Sequence, residues 1–186
     1  MTKPYGPPNL PNFQRLITNH NSEGKAVFDG FGGDAPWLAP MNEGRAAFST
    51  AYITNSFPVN LTDDKDLAVY SKFLESPPGL VVGSGTVLRI VDIAPDFESP
   101  MHRTVSLDYG VVLMGEIELE LDSGETRMMK VGDIAVQRGT NHLWRNKSKT
   151  DWCRMMYVLQ PSLPLEFKGK KLGEELGDME GVPKSH

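Results

Sequence analysis

The second half of the chain alternates apolar and polar positions with the two-residue period of β-strands. The clearest stretch, Glu116–Asp122, reads E-I-E-L-E-L-D and precedes Ser123-Gly124, a pair suited to a tight hairpin turn. The strands predicted in this half are Thr86–Ile93, His102–Tyr109, Gly110–Met114, Glu116–Asp122, Thr126–Lys130, Ile134–Gln137, His142–Asn146 and Cys153–Gln160. Many short strands separated by glycine and proline turns predict an all-β sandwich or barrel.

The first half of the chain has weaker periodicity and more irregular stretches. Its predicted elements are a loose arm over 1–12, a strand pair formed by Phe13–Thr18 and Ala26–Phe28, a loop over Gly30–Asn42, a strand within Arg45–Asn60 and a helix over Asp64–Ser76. The predicted organisation is therefore an extension over residues 1–80 packed on a barrel core over 81–165. A charged tail, with one short helix at most, occupies 166–186.

Length and composition narrow the class of protein. A chain of 186 residues fits one domain with a real core, and a net charge of −5 without a basic patch argues against nucleic acid as a partner. No apolar run approaches the ~18 residues of a membrane helix, and the N-terminus has no secretory pattern. The single cysteine, Cys153, is predicted to be a buried core thiol. These features predict a cytoplasmic protein.

Two predicted strands carry polar rows that point into the barrel. His102, Thr104, Ser106 and Asp108 share one face of their strand, because alternate residues point to the same side. On the later strand, His142, Trp144 and Asn146 share a face. Two imidazoles and one carboxylate are a ligand set that holds a divalent iron and leaves positions open for chemistry. His102, Asp108 and His142 are therefore the candidate metal ligands.

The same stretch resembles the paired motifs of the cupin superfamily. The first motif is matched by His102, Asp108 and Gly115, and the second by Gly132-Asp133, Arg138-Gly139, His142 and Asn146. The sequence departs from the pattern at two places. Thr104 stands where a second histidine is usual, and an aspartate replaces the usual glutamate. The resemblance covers roughly Val81 to Leu159.

The resemblance implies a double-stranded β-helix, or jelly-roll barrel, with a divalent metal (Fe, Mn or Zn) at its mouth. It also implies a homodimer paired through edge strands. Small single-domain cupins with this pattern are similar to those of fungal natural-product pathways, where cupins dehydrate, decarboxylate or oxidise polyketide-derived substrates. Fold alone does not fix function.

These observations predict an enzyme that acts on a small oxygenated organic molecule. The favoured reaction is lyase-type (dehydration or decarboxylation) or an isomerisation, with His102, His142 and Asp108 as catalytic groups. The residues predicted to bind substrate are Thr104, Ser106, Trp144, Tyr52 and Arg138. Arg89 and Arg103 are weaker candidates, and Arg103 is expected outside the barrel because its parity is opposite to that of His102.

Three alternatives stay open. The histidines could act directly as general acid and base in a site without metal. The protein could be an iron-dependent oxidoreductase or dioxygenase. It could also be a barrel that binds a small ligand without converting it.

Overall fold

The computed structural model describes residues 10–34, 36–38, 44–179 and 181–185, so most of the predicted N-terminal arm lies outside the described residues. The strands are β1 Gln14–Arg15, β2 Thr18–His20, β3 Ala26–Phe28, β4 Gly33–Asp34, β5 Ala46–Ile53, β6 Val87–Ile93, β7 Phe97–Glu98, β8 Ser106–Met114, β9 Glu116–Leu121, β10 Thr126–Lys130, β11 Ile134–Arg138, β12 His142–Asn146, β13 Cys153–Pro161, β14 Glu166–Phe167 and β15 Lys170–Lys171. The helix α1 spans Lys65–Glu75 and comes directly after a 3₁₀ turn at Thr62–Asp64. None of the described helices is long and apolar enough to cross a membrane.

Two antiparallel sheets enclose one core, which confirms the predicted all-β double-stranded β-helix. The larger sheet has the order β11-β8-β13-β6-β5, and the smaller has the order β10-β9-β12-β7. Side chains from both sheets, among them Val112, Met155, Ile117 and Trp144, meet in the core cluster. Cys153 is fully buried in that cluster, as the sequence predicted.

The strand around the first motif begins later than predicted. One continuous strand, β8, replaces the two predicted strands and starts only at Ser106. The chain before it makes isolated bridges instead. His102 exchanges two backbone hydrogen bonds with His142, and Arg103 exchanges two with Glu175. His102 therefore reaches the barrel through a single bridge, and its position depends on β12.

The N-terminal region differs from the prediction in its pairing and in its boundary. The predicted strand Ala26–Phe28 is confirmed as β3, but it pairs with β2, which begins at Thr18, whereas β1 pairs with β4. Strand β5 pairs with β6 along the edge of the larger sheet. Residues 46–53 are thus part of the barrel rather than of an extension packed on it.

The predicted helix is confirmed within one residue at each end. A buried tyrosine anchors it to the barrel. Tyr70 of α1 is fully buried and donates a hydrogen bond of 2.7 Å to the backbone oxygen of Thr50 in β5. Arg15 donates a hydrogen bond to the Tyr70 hydroxyl. The helix therefore supports the sheet edge that carries β5.

The second part of the C-terminal tail packs against the barrel core, whereas Glu166–Phe167 and Lys170–Lys171 are exposed. The tail begins with the hairpin β14–β15, and no helix occurs in its described part, 166–179 and 181–185. Residues 172–185, here called the C-terminal segment, then cross the barrel. Leu176, Met179 and Val182 pack against the core. The segment is rich in charged residues, but its apolar side chains pack against the core and anchor it there.

Candidate functional site

A cavity opens between the two sheets, and the space in and around it, open solvent at its mouth included, amounts to about 770 Å³. A concave lining of many apolar side chains with a few polar groups is typical of a small-molecule site. Its polar lining consists of Arg89, Ser99, His102, Thr104, Asp108, Gln137, His142 and Tyr157. Its apolar lining consists of Ala46, Phe48, Leu80, Val91, Ile93, Phe97, Pro100, Trp144, Leu159 and Met179.

Two histidines lie side by side in the cavity wall. Their ring centroids are 4.4 Å apart, and their backbones are held together by hydrogen bonds of 2.8 and 2.9 Å. The Nδ1 atom of His102 lies 2.8 Å from the backbone oxygen of Pro100, and that of His142 lies 2.9 Å from the backbone oxygen of Thr140. A carbonyl can only accept, so both Nδ1 atoms carry a proton. Nε2 is then the ring nitrogen available to a bound molecule.

Burial keeps both imidazoles neutral. It lowers the pKa of His102, and together with the adjacent His102 it lowers the pKa of His142 to about 3. A neutral imidazole protonated on Nδ1 has a lone pair on Nε2. The pair therefore offers two lone pairs, either to a proton or to a metal ion.

Asp108 is the carboxyl group of the cavity, and it is only partly hydrogen-bonded. Thr104 donates to its Oδ2 atom at 3.1 Å, and Ser106 in turn donates to the Thr104 hydroxyl at 2.6 Å. The Oδ1 atom is buried and has no hydrogen-bond partner among the described residues. Burial raises the pKa of Asp108 to about 6. Asp108 thus exchanges its proton close to neutral pH.

The donor set fits a divalent metal only in part. The anchored Nδ1 atoms orient both histidines as metal-bound histidines are commonly oriented. However, the described residues contain no group of three or more His, Cys, Asp or Glu side chains that could hold a metal ion. Asp108 therefore does not complete the pair of His102 and His142 into a three-ligand site in this geometry.

The raised pKa of Asp108 predicts a pH-dependent stability. A carboxyl group whose pKa is 3.8 when unfolded and about 6 when folded is destabilising once ionised. The free energy of unfolding should therefore fall as pH rises through this window, by roughly 3 kcal/mol for this one group. Asp108→Asn removes the ionisation, so the variant should gain stability over the parent at pH 7 but not at pH 4. Urea unfolding of both proteins at the two pH values measures the difference, and an equal difference at both would contradict it.

Five of the predicted site residues on the two polar rows line the cavity. They are Asp108, described above, and His102, Thr104, His142 and Trp144. The indole of Trp144 packs edge-on against His142, with ring centroids 5.6 Å apart, and likewise against Tyr157. The aromatic wall predicted beside the second histidine is therefore present. Ser106 is buried behind Thr104 and does not line the cavity.

Tyr52 and Arg138, which were predicted to bind substrate, do not line the cavity. A β-bulge between Thr50 and Tyr52 moves Tyr52 opposite Leu88, on the other face of the sheet, where its hydroxyl donates to Asp66 of α1. Arg138 is exposed, because the inward position of β11 is taken by its neighbour Gln137.

Sequence reasoning underrated Arg89 and missed Tyr157. Both line the cavity and face each other across the β6–β13 pair. The signal for Arg89 is its parity, since it shares a face with Val87, Val91 and Ile93 in a strand whose other inward residues are apolar. Gly110 faces Tyr157 from β8, and a Cβ atom there would lie 3.0 Å from the phenol ring. The space for Tyr157 thus depends on a residue without a side chain.

The C-terminal segment forms part of the cavity and lies directly beside the first histidine. Met179 lines the cavity, and Arg103, the neighbour of His102, donates from Nε to the backbone oxygen of Gly173 at 2.9 Å. Arg103 also pairs with Glu175 at 2.5 Å. As its parity predicted, Arg103 points away from the cavity, but it is buried beneath this segment.

Relatives of the chain come from fungal biosynthetic clusters. Over 170 residues it is 52% identical to phomopsin biosynthesis cluster protein D of Diaporthe leptostromiformis, an alignment that covers 91% of this chain and 89% of that protein. It is 42% identical over 170 residues to oryzines biosynthesis cluster protein J of Aspergillus oryzae, with coverage of 91% and 94%. It is also 42% identical over 173 residues to the cupin-domain-containing oxidoreductase fogC of Aspergillus ruber, with coverage of 91% and 83%.

Among solved structures, the cupin domain of Cnp3 from Schizosaccharomyces pombe aligns with a TM-score of 0.48 and 12% identity, over 80% of this chain and 88% of that one. No family model matches the sequence. The paired motifs, the double-stranded β-helix and the full-length relatives agree with one another. The chain belongs to the family of fungal cupin-domain proteins that includes these biosynthesis cluster proteins and the cupin-domain-containing oxidoreductase.

Proposed function

We propose that the protein is an enzyme that removes water or carbon dioxide from a small oxygenated organic molecule, or isomerises it, inside the barrel cavity. The observation that carries this proposal is the pair of buried neutral imidazoles at His102 and His142, set in the same cavity as a carboxyl group with a raised pKa. Groups whose environments push their pKa values apart are suited to act as base and acid in one reaction.

In a dehydration, the two kinds of group have complementary roles. The Nε2 atom of one histidine takes the proton from a carbon next to a carbonyl group. The protonated Asp108 gives its proton to the departing hydroxyl group, which leaves as water while the carbon–carbon double bond forms. The histidine then returns its proton to Asp108 through solvent, so the enzyme is unchanged.

Because the two histidines lie close together, the pair can take up only one additional proton at a time. With ring centroids 4.4 Å apart, a charge on His102 opposes protonation of His142. One imidazole therefore acts as the base while the other remains neutral and can accept a hydrogen bond from the substrate. Trp144 and Phe97 supply an apolar wall that excludes water from the reacting atoms.

A second candidate is oxidation, because several relatives are named cupin-domain-containing oxidoreductases. Such chemistry would call for a divalent metal (Fe, Mn or Zn), and His102 with His142 would be the starting point for its ligands. The third candidate is a cupin that binds a small ligand without converting it.

One experiment separates the three candidates. Purified protein is incubated with small carbonyl acids and phenolic aldehydes, with and without added iron, manganese or zinc, and the products are analysed by mass spectrometry. Loss of one water or one carbon dioxide, or a new isomer, supports the proposal. Metal-dependent gain of oxygen or loss of hydrogen would replace it with the oxidoreductase function. Binding without conversion under every condition would leave a ligand-binding cupin.

We also propose that the protein forms a homodimer through the outer face of β11. This strand is an edge of the larger sheet, and its outward residues Ile134 and Val136 are 63% and 53% exposed. An apolar edge strand is an unfavourable surface for a monomer in water, and a second copy offers a matching edge. Val136→Asp should lower the mass measured by light scattering from dimer to monomer, whereas Val27→Asp in β3 should not. A parent protein that is already monomeric would refute the proposal.

A further inference from the structure

Arg89 is a buried cation in a largely apolar part of the cavity wall. It lies in β6 opposite Tyr157 of β13 and Thr50 of β5, and only 3% of it is exposed. Its guanidinium carbon lies 5.1 Å from the ring centroid of Phe48, which packs beneath it. Phe48 thus packs against the guanidinium, and both side chains line the cavity.

The charge of Arg89 has no counter-charge among the described residues. One terminal nitrogen donates to the backbone oxygen of Gly79 at 3.0 Å, and the Nε atom is buried without a hydrogen-bond partner. No carboxylate in the described chain forms an ion pair with it, including Asp108 in the same cavity. Burial lowers the pKa of Arg89 to about 10, which still leaves it protonated at neutral pH. A buried charge without a partner is costly, so its retention calls for an anion supplied from outside.

Other unused hydrogen-bonding groups lie on the two strands that flank Arg89. The hydroxyl of Thr50 is buried without a partner, and by register it shares the inward face with Arg89. The phenol of Tyr157 makes no hydrogen bond within the described chain. Burial raises its pKa, so it keeps its proton and can donate. Beyond the bond from Arg89 to Gly79, these three residues thus offer donors that are not used within the described chain.

We propose that Arg89 binds the carboxylate of the substrate, and that the cavity therefore selects organic acids with an apolar or aromatic body. The planar guanidinium matches a carboxylate through paired hydrogen bonds. The apolar body suits the remaining wall, which Phe48, Phe97 and Trp144 provide. This inference rests on the proposed function in one respect, that the cavity is the substrate site. A carboxylate fixed at Arg89 leaves the rest of the molecule facing the histidine pair.

The test compares acids with their neutral amides, because the two have nearly the same shape and differ in charge. Benzoate and cyclohexanecarboxylate are titrated against the protein by calorimetry, alongside benzamide and cyclohexanecarboxamide. We expect at least one acid to bind about tenfold or more tightly than its amide, as charge-assisted hydrogen bonds require. Arg89→Met should abolish this preference. The matched control Arg138→Met removes an exposed arginine outside the cavity and should keep it.

Stability without ligand distinguishes a binding role from a structural one. If the role of Arg89 is to bind an anionic ligand, Arg89→Met should be at least as stable as the parent without ligand, because the variant removes an unpaired buried charge. A marked loss of thermal stability in this variant would indicate instead that Arg89 mainly stabilises the fold through its hydrogen bond to Gly79. Arg89→Lys keeps the charge but not the planar fork, and it should retain only a weakened preference for the acid.

Three results would overturn the inference: no preference for acid over amide in the parent, an unchanged preference in Arg89→Met, or loss of the preference in Arg138→Met. If Arg89→Met fails to fold, the parent comparison and Arg89→Lys still decide the matter. Failure of the proposed function would give another result. The protein would still bind acids in preference to amides, but it would convert no substrate.

Discussion

His142→Ala should lower the turnover number by ~10²–10⁴, the contribution of a single acid–base group, while the barrel stays folded. The imidazole is neutral and fixed through its Nδ1 atom, so the variant loses a positioned lone pair rather than a structural charge. The backbone hydrogen bonds between residues 102 and 142 do not depend on the side chain and should persist. His102→Ala should have an effect of the same order, because one ring acts as the base while the other accepts a hydrogen bond from the substrate.

Turnover is measured on the substrate identified by the mass-spectrometric screen, with circular dichroism to confirm folding. His20→Ala is the matched control, since His20 is exposed in β2 outside the cavity and its removal should leave the rate unchanged. Two folded histidine variants that both turn over substrate at the parent rate would move catalysis away from this pair. Loss of activity in His20→Ala would show that the assay responds to general damage.

Arg154→Met should lower the free energy of unfolding by ~3–5 kcal/mol, the usual cost of breaking a buried ion pair from one side. Arg154 pairs with Asp92 through two hydrogen bonds of 2.6 and 2.8 Å, and both side chains are almost completely buried. A further nitrogen of Arg154 donates to the backbone oxygen of Pro11 at 2.7 Å, and its guanidinium carbon lies 5.5 Å from the ring centroid of Phe13. The variant would remove the Arg154 cation from beside the buried Asp92 carboxylate.

Urea unfolding measures this effect, and Arg127→Met, which removes an exposed arginine of β10, should change stability little. The double variant Asp92→Leu with Arg154→Met removes both charges and should recover much of the loss. If the single and double variants are equally destabilised, the cost comes from packing around Phe13 rather than from breaking the ion pair.

The strand pattern was predictable because each strand of the barrel has one buried and one outer face. Strand β12 was predicted residue for residue, and α1 within one residue at each end. The start of β8 was not predictable, because Arg103 pairs with Glu175, more than seventy residues away in sequence. Alternation reports the face of a residue but not the identity of its partner.

The site was predictable as far as strict alternation holds. Parity placed Thr104 and Asp108 in the cavity, and it placed Trp144 beside His142. It failed at Tyr52, because a bulge adds one residue to β5 and reverses the face of the later residues in that strand. No residue type in that segment marks the bulge, so the sequence does not show that Tyr52 faces away from the cavity.

The charge of Arg89 explains why it was underrated. An arginine in a strand is usually assigned to the solvent face, because a buried guanidinium without a partner is costly. Its parity with Val91 pointed inward all the same. Where charge and parity disagree, the conflict itself indicates a functional position.

Because the C-terminal segment contributes to the cavity, the cavity is completed only after all strands of the barrel have been synthesised. A nascent chain that has emerged through Pro161 holds every strand of both sheets, so the barrel can close. It still lacks Met179 in the cavity wall and Glu175 beside Arg103. Competence to bind is therefore acquired after the fold, and an incomplete chain can be compact without presenting a finished site.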